Sequence, residues 1–124
     1  MGHSVLTLPK RIPKVKNRSE RWRSPAHCNF VRSHECIVPG CAARPIEVMH
    51  IRNGSDAGMG RKPSDWFTVS GCADHHSEQH ALGEQSFAAL HKIDLGGLAA
   101  EFAKASPKAP DIRQAKRERF SNDK

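Results

Sequence analysis

Two close pairs of metal-binding residues constrain this chain more strongly than any other feature. Cys36 and Cys41 have the spacing C-x4-C, and Cys72 and His75, which begin 31 residues after Cys41, have the spacing C-x2-H. Each pair flanks turn residues, so the segment between the pairs can fold back and bring all four side chains to one point. Three cysteines and one histidine satisfy a tetrahedral zinc ion and leave no open position, so we predict a structural zinc site. The alternative is a set of small buried cysteines beside a surface histidine.

The size of the chain favours a single small domain that a metal helps to hold together. Its 124 residues are 37% hydrophobic and 6% aromatic, and they include four cysteines and eight histidines. No apolar run approaches the ~20 residues that span a bilayer, and no signal-peptide pattern opens the chain. We therefore expect no membrane association and a place in a reducing bacterial cytoplasm, where cysteines bind metal or stay free. Cys28 stands apart from both pairs, and we interpret it as a buried free thiol.

The net charge of +7 is concentrated at the two ends of the sequence. Residues 1–23 carry seven Lys and Arg against one acid, and residues 104–124 carry seven against three, whereas the stretch between is acidic. We interpret residues 1–23 as a basic extended arm, 24–106 as the domain and 107–124 as a basic tail or an exposed helix. Such arms contact nucleic-acid phosphates, although solubilising tails have the same composition.

The residue pattern of the domain predicts an α+β fold. Ser24 followed by Pro25 is typical of a helix start, and β-branched residues favour strands at 46–51 and 66–69 on either side of a glycine-rich loop. Helical patterns follow over 74–82, around Phe87 and Leu90, and from Asp94 to Ser106. His76 and His80 share one face of the second helix and could hold a divalent ion. An exposed polar face is the alternative for that pair.

The order of these residues resembles the HNH (His-Me finger) nuclease superfamily. The resemblance is carried by Cys36-x4-Cys41, His50-Ile51, the glycine-rich loop, Asp65 and Cys72-x2-His75-His76-x3-His80. More narrowly, it resembles the phage and prophage branch that includes the RecA-dependent recombination-enhancement nuclease. It covers roughly residues 24–106, and the stretch 58–80 is its most specific part.

That resemblance implies a zinc-stabilised ββα-metal domain with flanking short helices and basic terminal arms. It implies that His50 is the general base and that His76 and His80 hold a catalytic metal. Asp65 takes the middle position of the family pattern and would orient the loop or His50. Met49 departs from the pattern, because the residue before the base is often an Asp or His that ligates the metal.

The implied function is a metal-dependent DNA endonuclease that acts in phage or prophage recombination or DNA processing. A neutral imidazole can take a proton from water near pH 7, and a second divalent ion (Mg²⁺, Mn²⁺, Zn²⁺, Co²⁺ or Ni²⁺) can stabilise the leaving oxygen. The expected partners are DNA and a recombinase filament. Phosphate contacts are predicted for basic residues of the loop and the first arm: Arg52, Arg61, Lys62, Lys10, Arg11, Lys14 and Lys16. The alternatives are a zinc-stabilised, non-catalytic DNA-binding module with a degenerate HNH fold and a protein–protein adaptor.

Overall fold

An antiparallel pair of strands that runs directly into a helix forms the centre of the molecule. The computed structural model describes residues 7–12, 21–58 and 61–121. Within them, five helices accompany a two-stranded sheet, which confirms the predicted α+β class. The elements in chain order are α1 (Pro25–Arg32), β1 (Ile46–His50), β2 (Thr68–Cys72), α2 (Ala73–Leu82), α3 (Glu84–His91), α4 (Leu95–Ala105) and α5 (Ala109–Ser121).

The second strand lies later in the chain than the sequence predicts. It pairs in the register from Ile46 opposite Cys72 to His50 opposite Thr68, whereas the residues just before it form a turn in which Phe67 N donates to Ser64 O at 3.0 Å. Gly71 has low strand propensity, but it makes room for Met49, since a Cβ at Gly71 would lie 2.1 Å from Met49 Sδ. Close packing of the two strands therefore outweighs local propensity.

The two predicted caps, Ser24 and Asp94, are confirmed. Ser24 caps α1, where its Oγ accepts a hydrogen bond from His27 N at 3.1 Å. Asp94 caps α4 in the same way, accepting from Gly97 N at 3.1 Å. Gly83, with φ +88, is the single residue between α2 and α3 and lets α3 turn back against α2.

Two apolar clusters hold these elements together, and the second one lies partly outside the predicted domain limits. The first cluster contains Met49, Val69 and Phe87, which are fully buried between the sheet and the helices. The second contains Trp66 and Ile112, and Trp22 packs against it. The limits 24–106 are therefore too narrow, because the expected tail forms helix α5 and buries Ile112 to 2% exposure.

Asp56 in the loop between the strands ties the two ends of this packed unit together. Its Oδ1 accepts from Ser64 N at 2.7 Å, and the Ser64 hydroxyl donates to its Oδ2. Arg21 Nε lies 3.8 Å and Arg119 Nη1 3.5 Å from the same Oδ2. One carboxylate thus joins the segment before α1, the loop and α5.

The predicted arms are described only in part. Residues 1–6, 13–20 and 122–124, which include Lys14 and Lys16, lie outside the described residues. Lys10 and Arg11 are exposed. None of the helices that the structure describes is long and apolar enough to cross a membrane.

Candidate functional site

Four predicted metal ligands come together beside the start of α2. One ligand atom from each of Cys36, Cys41, Cys72 and His75 lies within 4.8 Å of the others, so the group could hold a metal ion. The Sγ atoms of Cys41 and Cys72 are 3.9 Å apart, and His75 Nδ1 lies 3.4 Å from Cys36 Sγ and 3.3 Å from Cys72 Sγ. A zinc tetrahedron has S–S edges of about 3.8 Å and S–N edges of about 3.6 Å. The donors and their spacing therefore fit zinc.

Two separate segments of the backbone position these four ligands. Cys36 and Cys41 lie in the connection between α1 and β1, which Ile37 N anchors to β2 by donating to Ser70 O at 2.8 Å. Cys72 ends β2 and caps α2, and the backbone N–H of His75 points to its sulfur at 3.4 Å. Burial raises the pKa of Cys36, whereas a backbone hydrogen bond at Ala43 lowers the pKa of Cys41.

A groove of about 800 Å³ lies beside β1, and the remaining predicted catalytic and metal-binding residues line it. His50 and Asp65 line it together with His76 and His80. Its basic lining residues are Arg23, Arg32, Arg52 and Lys62, and its carboxylates are Glu47 and Asp65. Cations outnumber anions along this surface, which suits a polyanionic ligand.

His50 and Asp65 form a hydrogen-bonded pair in the groove. His50 Nε2 lies 2.9 Å from Asp65 Oδ1, and Asp65 is only 6% exposed. Burial by itself would raise the pKa of Asp65, but the hydrogen bonds from His50 and from Ser24 N, together with the charge of Arg23, hold that pKa below its usual value. An ionised Asp65 requires a proton on Nε2 of His50, which leaves the lone pair on Nδ1.

His76 and His80 form the second pair. Their Nε2 atoms are 3.2 Å apart. An ion 2.0–2.1 Å from both nitrogens would have an N–metal–N angle of about 100°, which fits coordination by both histidines. Nδ1 of His76 lies 2.8 Å from Oε1 of Glu47. A carboxylate on the far nitrogen fixes the tautomer that presents Nε2 to a metal.

Glu47 and two arginines are functional candidates that the sequence reasoning missed. The register places Glu47 opposite Gly71, one residue before the strand ends at α2, and the sequence carries no local signal for that pairing. Arg23 and Arg32 line the groove from the segment before α1 and from α1 itself. Met49 is not among the residues that line the groove, because its side chain is fully buried in the first apolar cluster.

The predicted loop cations have different positions. Lys62 lines the groove. Arg52 also lines it, but its guanidinium donates to the carbonyl oxygens of Gly58 at 3.1 Å and Arg61 at 3.3 Å, so it holds the loop together. Arg61 is exposed and is not among the groove-lining residues. Cys28 is free but only half-buried at the groove wall, where burial raises its pKa to about 11.

These features define a small α+β protein with a Cys/His cluster that could bind a metal beside a cationic groove. The chain belongs to the family described as "Protein of unknown function (DUF968)", whose model matches residues 9–105. It is 32% identical over 77 residues to the "Uncharacterized protein YdfU" of Escherichia coli (strain K12), a match that covers 62% of this chain. The match covers 19% of that relative, so this chain spans only a small part of its length. No solved structure matches the chain.

Proposed function

We propose that this protein is a metal-dependent DNA endonuclease of the HNH type. The observation that carries the proposal is the shared groove, which is lined by the hydrogen-bonded His50 and Asp65 and by the paired His76 and His80. In this proposal β1, β2 and α2 correspond to the ββα-metal unit of the family that the sequence resembles. Zinc on Cys36, Cys41, Cys72 and His75 then fixes the junction between the sheet and α2.

The residues of the groove divide the work of phosphodiester hydrolysis between them. Nδ1 of His50 accepts a proton from the attacking water, and Asp65 stabilises the imidazolium that forms. His76 and His80 would hold a divalent ion, and Glu47 keeps the ring of His76 in the ligating orientation. That ion supplies positive charge for the scissile phosphate and the leaving oxygen when it is bound. Two nitrogen ligands favour Mn²⁺, Co²⁺, Ni²⁺ or Zn²⁺ over Mg²⁺, which prefers oxygen.

The charge of the groove supports DNA as the substrate. Arg32 and Lys62 present cations along it, whereas Arg23 is paired with Asp65 and donates to the carbonyl oxygen of Lys62. Cations of this kind bind backbone phosphates without reading base sequence. In the proposed setting the protein acts inside the bacterial cell during phage or prophage recombination, with a recombinase filament as a partner.

Plasmid nicking tests the proposal directly. We expect purified protein to nick supercoiled plasmid with at least one of Mg²⁺, Mn²⁺, Zn²⁺, Co²⁺ and Ni²⁺, and His50→Ala to lower that rate by about 100-fold or more. His34→Ala, which changes an exposed histidine outside the groove lining, is the matched control. If neither wild type nor His50→Ala cleaves the plasmid with any of these metals, even when recombinase filaments are supplied, the proposed endonuclease activity is refuted.

The burial of Met49 favours a second candidate, a zinc-stabilised DNA-binding module without catalysis. In the family this position is often an Asp or His that ligates the metal, and here the side chain packs in the apolar core instead. This candidate predicts one tightly held zinc per chain that persists in the double variant His76→Ala, His80→Ala. It also predicts salt-sensitive DNA binding without cleavage.

A further inference from the structure

A second group of potential ligands adjoins the Cys/His cluster and shares one residue with it. The donor atoms of His75, Glu78 and His91 lie within 4.8 Å of one another. Nε2 of His91 is 2.5 Å from Oε1 of Glu78, and the His75 and His91 rings meet edge-on with centroids 5.1 Å apart. Neither Glu78 nor His91 has a place in the proposed endonuclease chemistry, so the group needs its own explanation.

His75 belongs to both groups, and its protonation decides whether the second group binds its own metal ion or supports the ligand of the first. His75 turns Nδ1 towards Cys36 and Cys72, and a neutral imidazole has one lone pair and one N–H. With the lone pair on a metal at Nδ1, Nε2 carries the proton and can only donate. A second ion at Nε2 would require removal of that proton, whereas a carboxylate there requires no change of charge state on the ring.

The two helices that hold this group are built to bring it together. His75 and Glu78 are three residues apart on α2, and so lie on one face of that helix. On α3, the fully buried Phe87 packs against both histidines, with ring centroids 6.3 Å from His75 and 4.6 Å from His91. The apolar ring of Phe87 thus covers both histidines on one side of the group.

We propose that Glu78, held in place by His91, accepts the Nε2–H of His75 and thereby sets how tightly the cluster of Cys36, Cys41, Cys72 and His75 retains its metal. This inference rests on the proposed zinc at that cluster. Carboxylate partners of metal-bound histidines fix the ring and raise its basicity, and their loss costs about 10–100-fold in metal affinity. Glu78 and His91 are positioning residues in this sense, because neither touches the metal.

Competition between the zinc-loaded full chain and a chromophoric chelator tests the inference. We expect Glu78→Ala and His91→Phe to raise the zinc Kd by about 10–100-fold, and Glu78→Gln to raise it less, because the amide oxygen still accepts a hydrogen bond. Glu101→Gln, on the exposed surface of α4, is the control and should leave the Kd unchanged. In wild type, NMR should show a His75 Nε2–H proton protected from exchange, and Glu78→Ala should remove that protection.

Each result decides a different claim. Wild type that holds no zinc refutes the proposed metal centre itself. Zinc retention with equal Kd values in wild type, Glu78→Ala and His91→Phe refutes the support by Glu78 and His91 while the metal centre stands. If the Kd rises but the His75 proton keeps its protection, the two residues contribute only to packing, and the inference is overturned.

Discussion

At the scale of single residues, Asp65 joins three donors at the groove. Its two oxygens receive the backbone N–H of Ser24 at 2.8 Å, His50 at 2.9 Å and Arg23 at 3.4 Å. Its own N–H donates to Trp22 O at 2.9 Å. A buried carboxylate with this many donors stays ionised and fixed in orientation, so the ring of His50 is fixed with it.

Replacement of Asp65 should therefore affect catalysis through His50. In the proposed nuclease, Asp65→Ala should slow plasmid cleavage by about 10²–10⁴-fold, comparable with the loss of a general base. Asp65→Asn should lose less, since an amide oxygen can still accept from Nε2. Single-turnover cleavage rates measure both effects. Wild-type rates in Asp65→Ala would show that the pair has no catalytic part.

His27 gives the protein a dependence of stability on pH. The ring is fully buried, with Nδ1 2.8 Å from the Ser106 hydroxyl, and desolvation lowers its pKa despite the opposing charge of Asp65. The unfolded chain binds a proton at this residue at higher pH than the folded chain does. Stability is therefore complete above the unfolded pKa of about 6.5 and falls as pH decreases below it, by at most about 1.4 kcal/mol per pH unit.

Urea unfolding at pH 7.5 and 5.5 measures this contribution. We expect the free energy of unfolding of wild type to fall between these values and that of His27→Gln to fall less. His34→Gln, which changes an exposed histidine, should keep the wild-type difference. Parallel pH profiles for wild type and His27→Gln would assign the acid sensitivity to other groups. The lowered pKa of Asp65 acts at lower pH, where its stabilisation is lost on protonation.

At the scale of the elements, contact between the two strands depends on one glycine. Gly71 lies in β2 against the side chain of Met49, and an added Cβ would come within 2.1 Å of its sulfur. We expect Gly71→Ala to lower the free energy of unfolding by about 1–3 kcal/mol, the usual effect of overpacking a core.

Two further variants show whether that loss comes from the clash. The shorter side chain in Met49→Val should recover part of the loss in the double variant with Gly71→Ala, so the two changes are not additive. Gly96→Ala, on α4, meets only ordinary contact with Asp94 Oδ1 at 3.8 Å and should be neutral or stabilising. Additive losses for Gly71→Ala and Met49→Val would exclude the steric explanation.

Local signals made several of these elements predictable. The Ser24 cap and the cysteine pairs depend on residues that are neighbours in the sequence, and the structure brings the four predicted ligands together. The start of β2 was predicted too early, because burial of Trp66 in the second cluster is a long-range effect. Glu47 was missed because its meeting with His76, across 29 residues, depends on the strand register.

At the scale of the whole molecule, the proposed zinc connects parts of the chain that share no long element. Cys36 and Cys41 precede the sheet, whereas Cys72 and His75 lie where it joins α2. Removal of zinc by a strong chelator should lower the free energy of unfolding by about 5 kcal/mol or more, because the binding energy of a structural zinc is largely folding energy. Circular dichroism melts before and after chelation, and after zinc is added back, measure the change.

Cys28→Ser is the control for that experiment, since this free thiol lies at the groove wall and outside the cluster. It should keep the zinc content and the melting temperature of wild type, whereas Cys72→Ser should lose zinc. Identical melting curves with and without chelator would contradict a structural metal.

The carboxylate of Asp56 has a consequence for how this unit could be joined to other chains. Because Arg21 and Arg119 both reach Oδ2 of Asp56, the two limits of the packed unit come out at the same place, no further apart than two arginine side chains extend. A unit with adjoining ends can be inserted into a surface loop of a host protein, or circularly permuted through a short linker, without pulling its core apart. In either arrangement, the ion pairs of Asp56 with Arg21 and Arg119 would hold the two ends of the unit together.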